Sequence, residues 1–315
     1  MELFQAGILI SSLRLERGWT QELLCKGICG RRNLIRIEKG EHIPELFTFT
    51  ALMQRLGEDP AKYYSGIVTI GDKMLMDLDE RLTNLLRKKE EEFDREAEIL
   101  IAKHEEVKSK SKSYSQVLLS HKATLAFNRK DYLNAYNYAI SGIKITNPDF
   151  DETEADTYIY TSQEIELVNA IAASQYYNES WEHSVGIYLK LKASIDKNYL
   201  ADNSKQKNYM HLLYNLSRIL GLHGKHSESL SLCNEGVELS KNNDSTHFLS
   251  LFLFNKAVSL FYTEQKEEGI QVMSRAYTLF LCIENYAHIS NIRSFLESEF
   301  GISLTDIYPK LHFKS

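Results

Sequence analysis

Residues 19–40 read WTQELLCKGICGRRNLIRIEKG, and this stretch decides the fold of the amino-terminal part. Thr20 stands where a helix N-cap is wanted, its hydroxyl able to accept from an orphan backbone N–H, and Gln21 and Glu22 follow in the first turn. That helix is short and closes at Gly27. A further helix runs from Arg31 to Lys39 with Leu34 and Ile37 inward, stopped by Gly40 at the C′ position. Working outward, Leu9 and Leu13 give an apolar stripe on a preceding helix that ends near Gly18. Pro44 and Glu45 restart the chain into a fourth helix through Leu56, and Asp59-Pro60 caps a fifth, with proline at its first position.

Five short helices within the first 64 residues, two of them joined by a tight turn, have the form of a helix-turn-helix domain. Residues 19–40 resemble the Cro/phage-repressor type of this motif: Thr20-Gln21, then the buried Leu-small pair Leu24-Cys25, then Arg36-Ile37-Glu38-Lys39-Gly40. Gly30 departs from the polar residue usual at the entry of the third helix. The resemblance implies that the third helix enters the DNA major groove, with Arg31, Arg32, Asn33 and Arg36 on the groove face. A guanidinium suits that place, since its planar fork donates two hydrogen bonds to guanine O6 and N7. It also implies a phosphate contact for Gln21 and a structural ion pair between Arg14 and Glu38. The competing reading of the arginines is a solvated helix face without a partner.

Charge distribution agrees with a local docking face. The whole chain of 315 residues carries a formal net charge of -6, yet residues 11–40 hold seven basic and three acidic side chains, a net +4. Phosphate attraction is needed only where the protein docks. With 43% hydrophobic and 25% charged residues the composition is that of a globular protein. Four prolines and 15 glycines favour long helices over turns. No apolar run approaches the ~20 residues of a bilayer span. The first residues lack a basic region and a cleavage site, so a cytoplasmic location and no membrane partner are expected. Cys25, Cys29, Cys233 and Cys282 form no CxxC pair and no zinc spacing, and are expected to be small buried thiols; neither a metal nor a cofactor is expected.

Beyond residue 65 the segment RKKEEEFDREAEILIAKHEEVKSKSKS alternates in sign and lacks Gly and Pro, which predicts a solvated helix pair over residues 66–115, with a joint at Lys108 to Ser113. From Gln116 a unit recurs: KDYLNAYNYAISGI, ESWEHSVGIYLKLK, GKHSESLSLCNEGV and EQKEEGIQVMSRAY. Each copy places a small residue (Ala135, Ser184, Ser229, Gly269) twelve positions after another (Ala123, Ala172, Ser217, Ala257). Small side chains at these points let two antiparallel helices approach closely, the signature of tetratricopeptide repeats. The copies are spaced more widely than the ideal, about 34 residues, and the usual Trp and Pro are mostly missing. The expected architecture is therefore all-α: a helix-turn-helix domain at 1–65, a linker and first helical hairpin at 66–115, and degenerate repeats at 116–315 forming a right-handed superhelix. FDREAEIL is a candidate further copy, and His288 to Tyr308 a final helical cap.

The first helix of each repeat lines the inner wall of such an array. Counting from the small residues, that wall gathers Asn169, Tyr214, Asn215, Arg218, Phe254 and Asn255, with Tyr176, Tyr177, Phe261 and Tyr262 nearby. An Asn amide offers a donor and an acceptor to the backbone of an extended peptide, aromatics supply apolar pockets, and Arg218 suits a carboxylate. The competing reading makes the aromatics core and the asparagines helix bridges.

A Cro-type head followed by degenerate repeats resembles the RRNPP group of peptide-pheromone quorum-sensing transcription regulators. That resemblance implies a homodimer formed through the repeats, a palindromic double-stranded DNA operator, and a short signalling peptide that modulates DNA binding. Two other classes stand beside it: a repressor whose repeats bind a protein partner, and an enzyme built on these repeats. No nucleophile–base pair, phosphate loop or metal cluster is visible, and His104, His121 and His211 read as surface or wall residues, so an enzyme is not expected.

Overall fold

The computed structural model describes residues 3–66, 70–88, 93–106, 112–197 and 203–303. Among them the regular structure is helical throughout. The chain divides into two compact units, Met1–Tyr209 and Met210–Ser315.

The first unit begins with α1 (Leu3–Glu16), α2 (Gln21–Cys25), α3 (Arg31–Glu38) and α4 (Leu46–Arg55). Thr20 caps α2 as expected, accepting from the Leu23 N–H. Gly40, at φ 73°, ends α3 in the left-handed conformation that glycine adopts without a Cβ penalty. The fifth helix is not α but a 3₁₀ helix, Pro60–Gly66. Asp59 does cap it, accepting from the Ala61 N–H. Ile10, Leu24, Leu34, Ile37, Phe49, Leu52, Met53 and Leu56 form the fully buried centre of this head, with Leu9, Leu13 and Trp19 packed against it. At about 1.5–3 kcal/mol per large apolar side chain removed from water, that cluster is what holds the four short helices together.

Two helices follow, α5 (Ile70–Lys88) and α6 (Asp94–Glu105), then α7 (Lys112–Asn128). The expected solvated pair is amphipathic instead: Leu82, Leu85, Leu86, Ala97, Leu100 and Ile101 are buried together with Leu125 of α7. The many charged side chains of the segment obscure this apolar pattern in the sequence. Arg129 binds Asp94 and Glu98 at 2.7 Å each across the outer side. Of the expected joint, residues 108–111 lie outside the described residues, while Lys112 and Ser113 begin α7.

The repeats continue as α8 (Tyr132–Thr146), a 3₁₀ segment Glu152–Thr157, α9 (Ser162–Asn178) and α10 (Trp181–Lys197). Next come α11 (Asn203–Leu222), α12 (His226–Asn242), α13 (Thr246–Tyr262), α14 (Lys266–Cys282) and α15 (Tyr286–Phe295), closed by one π turn at Leu296–Phe300. The twelve-residue spacing of small side chains has an atomic counterpart. Ser184 Oγ donates to the Ala172 carbonyl at 2.7 Å, and Ser229 Oγ to the Ser217 carbonyl at 2.8 Å, so each hydroxyl is satisfied where two helices meet. Ala123, Ala135, Ala172, Ser184, Ser217 and Ala257 are all fully buried. In the second unit a left-handed residue recurs at Gly224, Asp244, Glu264 and Glu284, one at each helix end. Cys25 and Cys233 are buried as expected, but Cys29 is only half-buried and Cys282 exposed, because Cys282 closes α14 at its solvent end.

Candidate nucleic-acid interface and repeat wall

In α3 the apolar positions Leu34 and Ile37 face the core, which turns the opposite positions outward. Arg31, Arg32 and Arg36 are exposed and Asn33 is half-buried on the first two turns. Arg31 makes a 3.4 Å ion pair with the exposed Glu22 of α2. In such an exposed pair the gain is at most about 1 kcal/mol, so it holds Arg31 only weakly. Arg32 and Arg36 have no ion pair among the described residues. Lys26 and Lys39 extend the exposed basic surface on either side.

The acidic residue of α3 itself is occupied elsewhere. Glu38 receives Arg14 Nε at 2.6 Å and Nη2 at 3.0 Å, and Arg14 Nη1 also donates to the Trp19 carbonyl. Gln21 Nε2 donates to Glu38 at 2.8 Å, which fixes the Gln21 side chain at the start of α2. The Arg14–Glu38 pair is thus present as the resemblance implied. With its charge matched by a fork of two hydrogen bonds, Glu38 does not offset the arginines of α3.

The eight candidate wall residues fall in both units. In the first, Asn169 of α9 is buried; its Nδ2 donates to the Asn208 carbonyl at 3.0 Å, while its Oδ1 is buried without a partner. Tyr176 is half-buried two turns further along α9, edge-on to the exposed Tyr177 at 4.9 Å. In the second, Tyr214, Asn215 and Arg218 share one face of α11 and are all half-buried. Burial raises the Tyr214 phenol above its ordinary pKa, and the Arg218 charge beside it acts in the opposite direction. Arg218 has no ion pair among the described residues. On α13, Asn255 Nδ2 donates to Ser217 Oγ at 3.2 Å, so one of its amide hydrogens bridges helices. Phe254 lies 6.3 Å from Phe295, and Tyr262, at the end of α13, stacks on His226 at 4.4 Å. Tyr214, Asn215, Arg218, Phe254 and Asn255 therefore lie along neighbouring stretches of α11 and α13, whereas Tyr262 sits about two turns away.

Two clusters escaped the sequence reading. His104 is fully buried and His121 nearly so, against the expectation of surface or wall positions, while His211 is exposed. His104 Nδ1 meets Tyr114 Oη at 2.9 Å, and His121 Nε2 meets Asp79 Oδ1 at 2.6 Å. Burial, and then His121, lower the His104 pKa, while burial pushes the Tyr114 phenol up to about 12. The second cluster is the contact of Arg55 with Glu164, described below. The sequence marks one end of it only, through the Thr161–Glu164 capping box at the start of α9. Among the described residues no group of three or more His, Cys, Asp or Glu is placed to hold a metal ion.

With this geometry established, the comparisons define the class. Residues 10–63 match the family described as Helix-turn-helix. The remaining architecture is a helical-repeat domain, so the chain joins a helix-turn-helix domain to helical repeats. No curated protein matches the chain by sequence. Among solved structures, Bacillus thuringiensis PlcR in complex with the peptide PapR7 and DNA is similar at TM-score 0.58 and 18% identity, over 92% of this chain and 99% of that one. ComR from S. thermophilus, in complex with DNA and its signalling peptide ComS, is similar at TM-score 0.51 and 15% identity, over 96% and 99%. The apo form of the competence regulator ComR from Streptococcus vestibularis gives TM-score 0.53 at 14% identity, over 95% and 99%. At these identities the shared property is the fold, in the order head then repeats. No helix among the described residues is long and apolar enough to cross a membrane.

Proposed function

We propose that this chain is a sequence-specific, DNA-binding transcription regulator whose repeat domain binds a short signalling peptide that modulates DNA binding. The observation that carries the first half is the outward face of α3: Arg31, Arg32 and Arg36 are exposed while the adjacent carboxylate of Glu38 is held by Arg14 and Gln21. Guanidinium groups at these positions on a helix of this width fit the major groove, Arg31, Arg32, Asn33 and Arg36 reading base edges and Gln21 holding a phosphate. A homodimer on a palindromic operator follows from the need to place two such helices about 34 Å apart.

The second half is supported by Asn169, whose buried Oδ1 lacks a donor, and by the unpaired Arg218 beside Asn215 and Tyr214. Within the second unit a peptide supplies a carboxylate for Arg218; within the first, taken by itself, a ligand backbone N–H suits the Asn169 amide oxygen. Its working domains are 1–65 for DNA, 66–115 as linker and first hairpin, and 116–315 for ligand and dimerisation. PlcR and ComR, which share the fold, are described in complex with both a peptide and DNA. The reading is of a cytoplasmic, non-enzymatic protein. Selection of duplexes from a random library, with and without short peptides encoded beside the gene, tests it. Enrichment of a palindrome that peptide strengthens or weakens supports it, and failure to enrich any duplex overturns it. Replacement of Asn215 and Asn255 removes the peptide response in calorimetry and leaves basal operator binding intact.

A further inference from the structure

Arg55 closes α4, and its guanidinium reaches in two directions within the first unit. Nη1 donates to the carbonyls of Leu24 and Lys26, the last turn of α2 and the residue after it, which together start the turn into α3. Nη2 donates to both carboxylate oxygens of Glu164, at 3.2 and 3.1 Å. Glu164 stands in the first turn of α9 and is filled from every side: Thr146 Oγ1 donates at 2.6 Å, Asn147 Nδ2 at 3.1 Å and the Thr161 N–H at 2.7 Å. Neither partner reaches water, the Arg55 and Glu164 side chains being 4% and 0% exposed. Beside the pair, a Cβ at Gly27 would come within 2.0 Å of the Thr146 carbonyl oxygen, so the turn packs backbone against α8. Phe47 meets Tyr114 edge-on at 5.0 Å on the other side. The face used for this docking is α4 and the α2–α3 turn, and the arginines of α3 stay exposed.

We propose that Arg55–Glu164 is a permanent pin and Arg55 a positioning residue: the head stays fixed to α8 and α9 while bound to DNA, and the pair sets the aim of α3. A buried ion pair that loses one partner leaves an uncompensated charge, which makes this contact a poor releasable latch. Release is also unnecessary, because docking leaves the reading helix clear. The pin gives the repeats a route to the head. Asn169 lies on α9 five residues beyond Glu164, so a ligand that shifts α9 shifts the α2–α3 turn with it. This inference rests on the DNA-binding reading above, and its test separates the two.

The test uses the full chain as wild type, Glu164→Gln and Arg55→Lys, with a duplex selected by the wild type and an unrelated duplex of equal length. Circular dichroism first verifies the fold; if Glu164→Gln does not fold, Thr146→Val, which removes one donor from Glu164, takes its place under the same criteria. Expected are a loss of about tenfold or more in affinity for the selected duplex and a change within about twofold for the unrelated one, whose binding depends on the unchanged Arg31, Arg32 and Arg36. Arg55→Lys, which keeps the charge and loses the fork, falls between. Hydrogen exchange at the amides of residues 26–30 rises in Glu164→Gln. Unchanged or higher affinity for the selected duplex overturns the pin, the increase being the mark of a latch. If the wild type selects no duplex, the functional reading fails, and the exchange result alone decides: a rise at residues 26–30 supports the pin and no rise overturns it.

Discussion

Gly236 sits on α12 where a Cβ would come within 2.3–2.5 Å of three ring atoms of Phe252, a fully buried side chain of α13. Replacing it by alanine has two opposed effects. Alanine is better in a helix interior by about 1 kcal/mol, through propensity. Displacing a ring that has no empty space to enter costs typically 1–3 kcal/mol and more when the ring is closely held, as three atoms inside 2.5 Å require here. The net expectation for Gly236→Ala is a loss of up to about 2 kcal/mol. Gly221, on α11 in the same unit, is the control: its nearest neighbour would be Ser229 Oγ at 3.5 Å, an ordinary contact, so Gly221→Ala keeps the propensity gain and is neutral to stabilising by about 0.5–1 kcal/mol. Equilibrium urea unfolding of both variants, with the slope held common, reads the difference. A Gly236→Ala protein as stable as Gly221→Ala would refute the α12–α13 packing and with it the repeat register.

Glu264 holds φ 62° after α13, where a side chain costs energy and glycine does not, so Glu264→Gly raises the urea midpoint by the equivalent of about 0.5–1 kcal/mol. The His104 pKa is lowered in the fold by burial, so the neutral ring contributes stability that is complete above the unfolded value near 6.5 and is lost as pH falls below it. The melting temperature should drop more steeply between pH 7 and pH 5 in the wild type than in His104→Gln, and equal slopes would remove His104 from that role. Arg36→Ala should weaken operator binding by about 1–3 kcal/mol, roughly 5- to 150-fold, while His211→Ala leaves it unchanged; anisotropy titration at fixed salt reads both.

The helix ends of the head were legible because turn chemistry is local: Thr20 as a cap and Gly40 as a stop need only neighbours in sequence. The repeats were legible through one spacing, the twelve residues from Ala172 to Ser184 and from Ser217 to Ser229, since close helix approach forces small side chains. The apolar face of α5 and α6 was not, because the charges of RKKEEEFDREAEIL dominate the segment, with Leu85 and Leu86 standing just before it and Ala97 isolated within it. His104 and His121 were misplaced for the same reason: partners 42 residues away, such as Asp79, are set by tertiary packing. The Arg55–Glu164 contact joins residues 109 positions apart, and no local pattern announces it, although the Thr161 cap marks Glu164 as fixed. In the wall, the sequence left the asparagines open between ligand contacts and helix bridges, and Asn255 gives one amide hydrogen to Ser217, which makes its role partly one of bridging helices.

The most direct test of the account is a competition titration of the full chain against its selected duplex and bulk unrelated DNA, beside a variant with Arg31, Arg32 and Arg36 all changed to alanine. The account predicts a preference of roughly 10³ or more for the selected duplex in the wild type, collapsing toward unity in the variant. An equal preference in both proteins, or none in either, would contradict it.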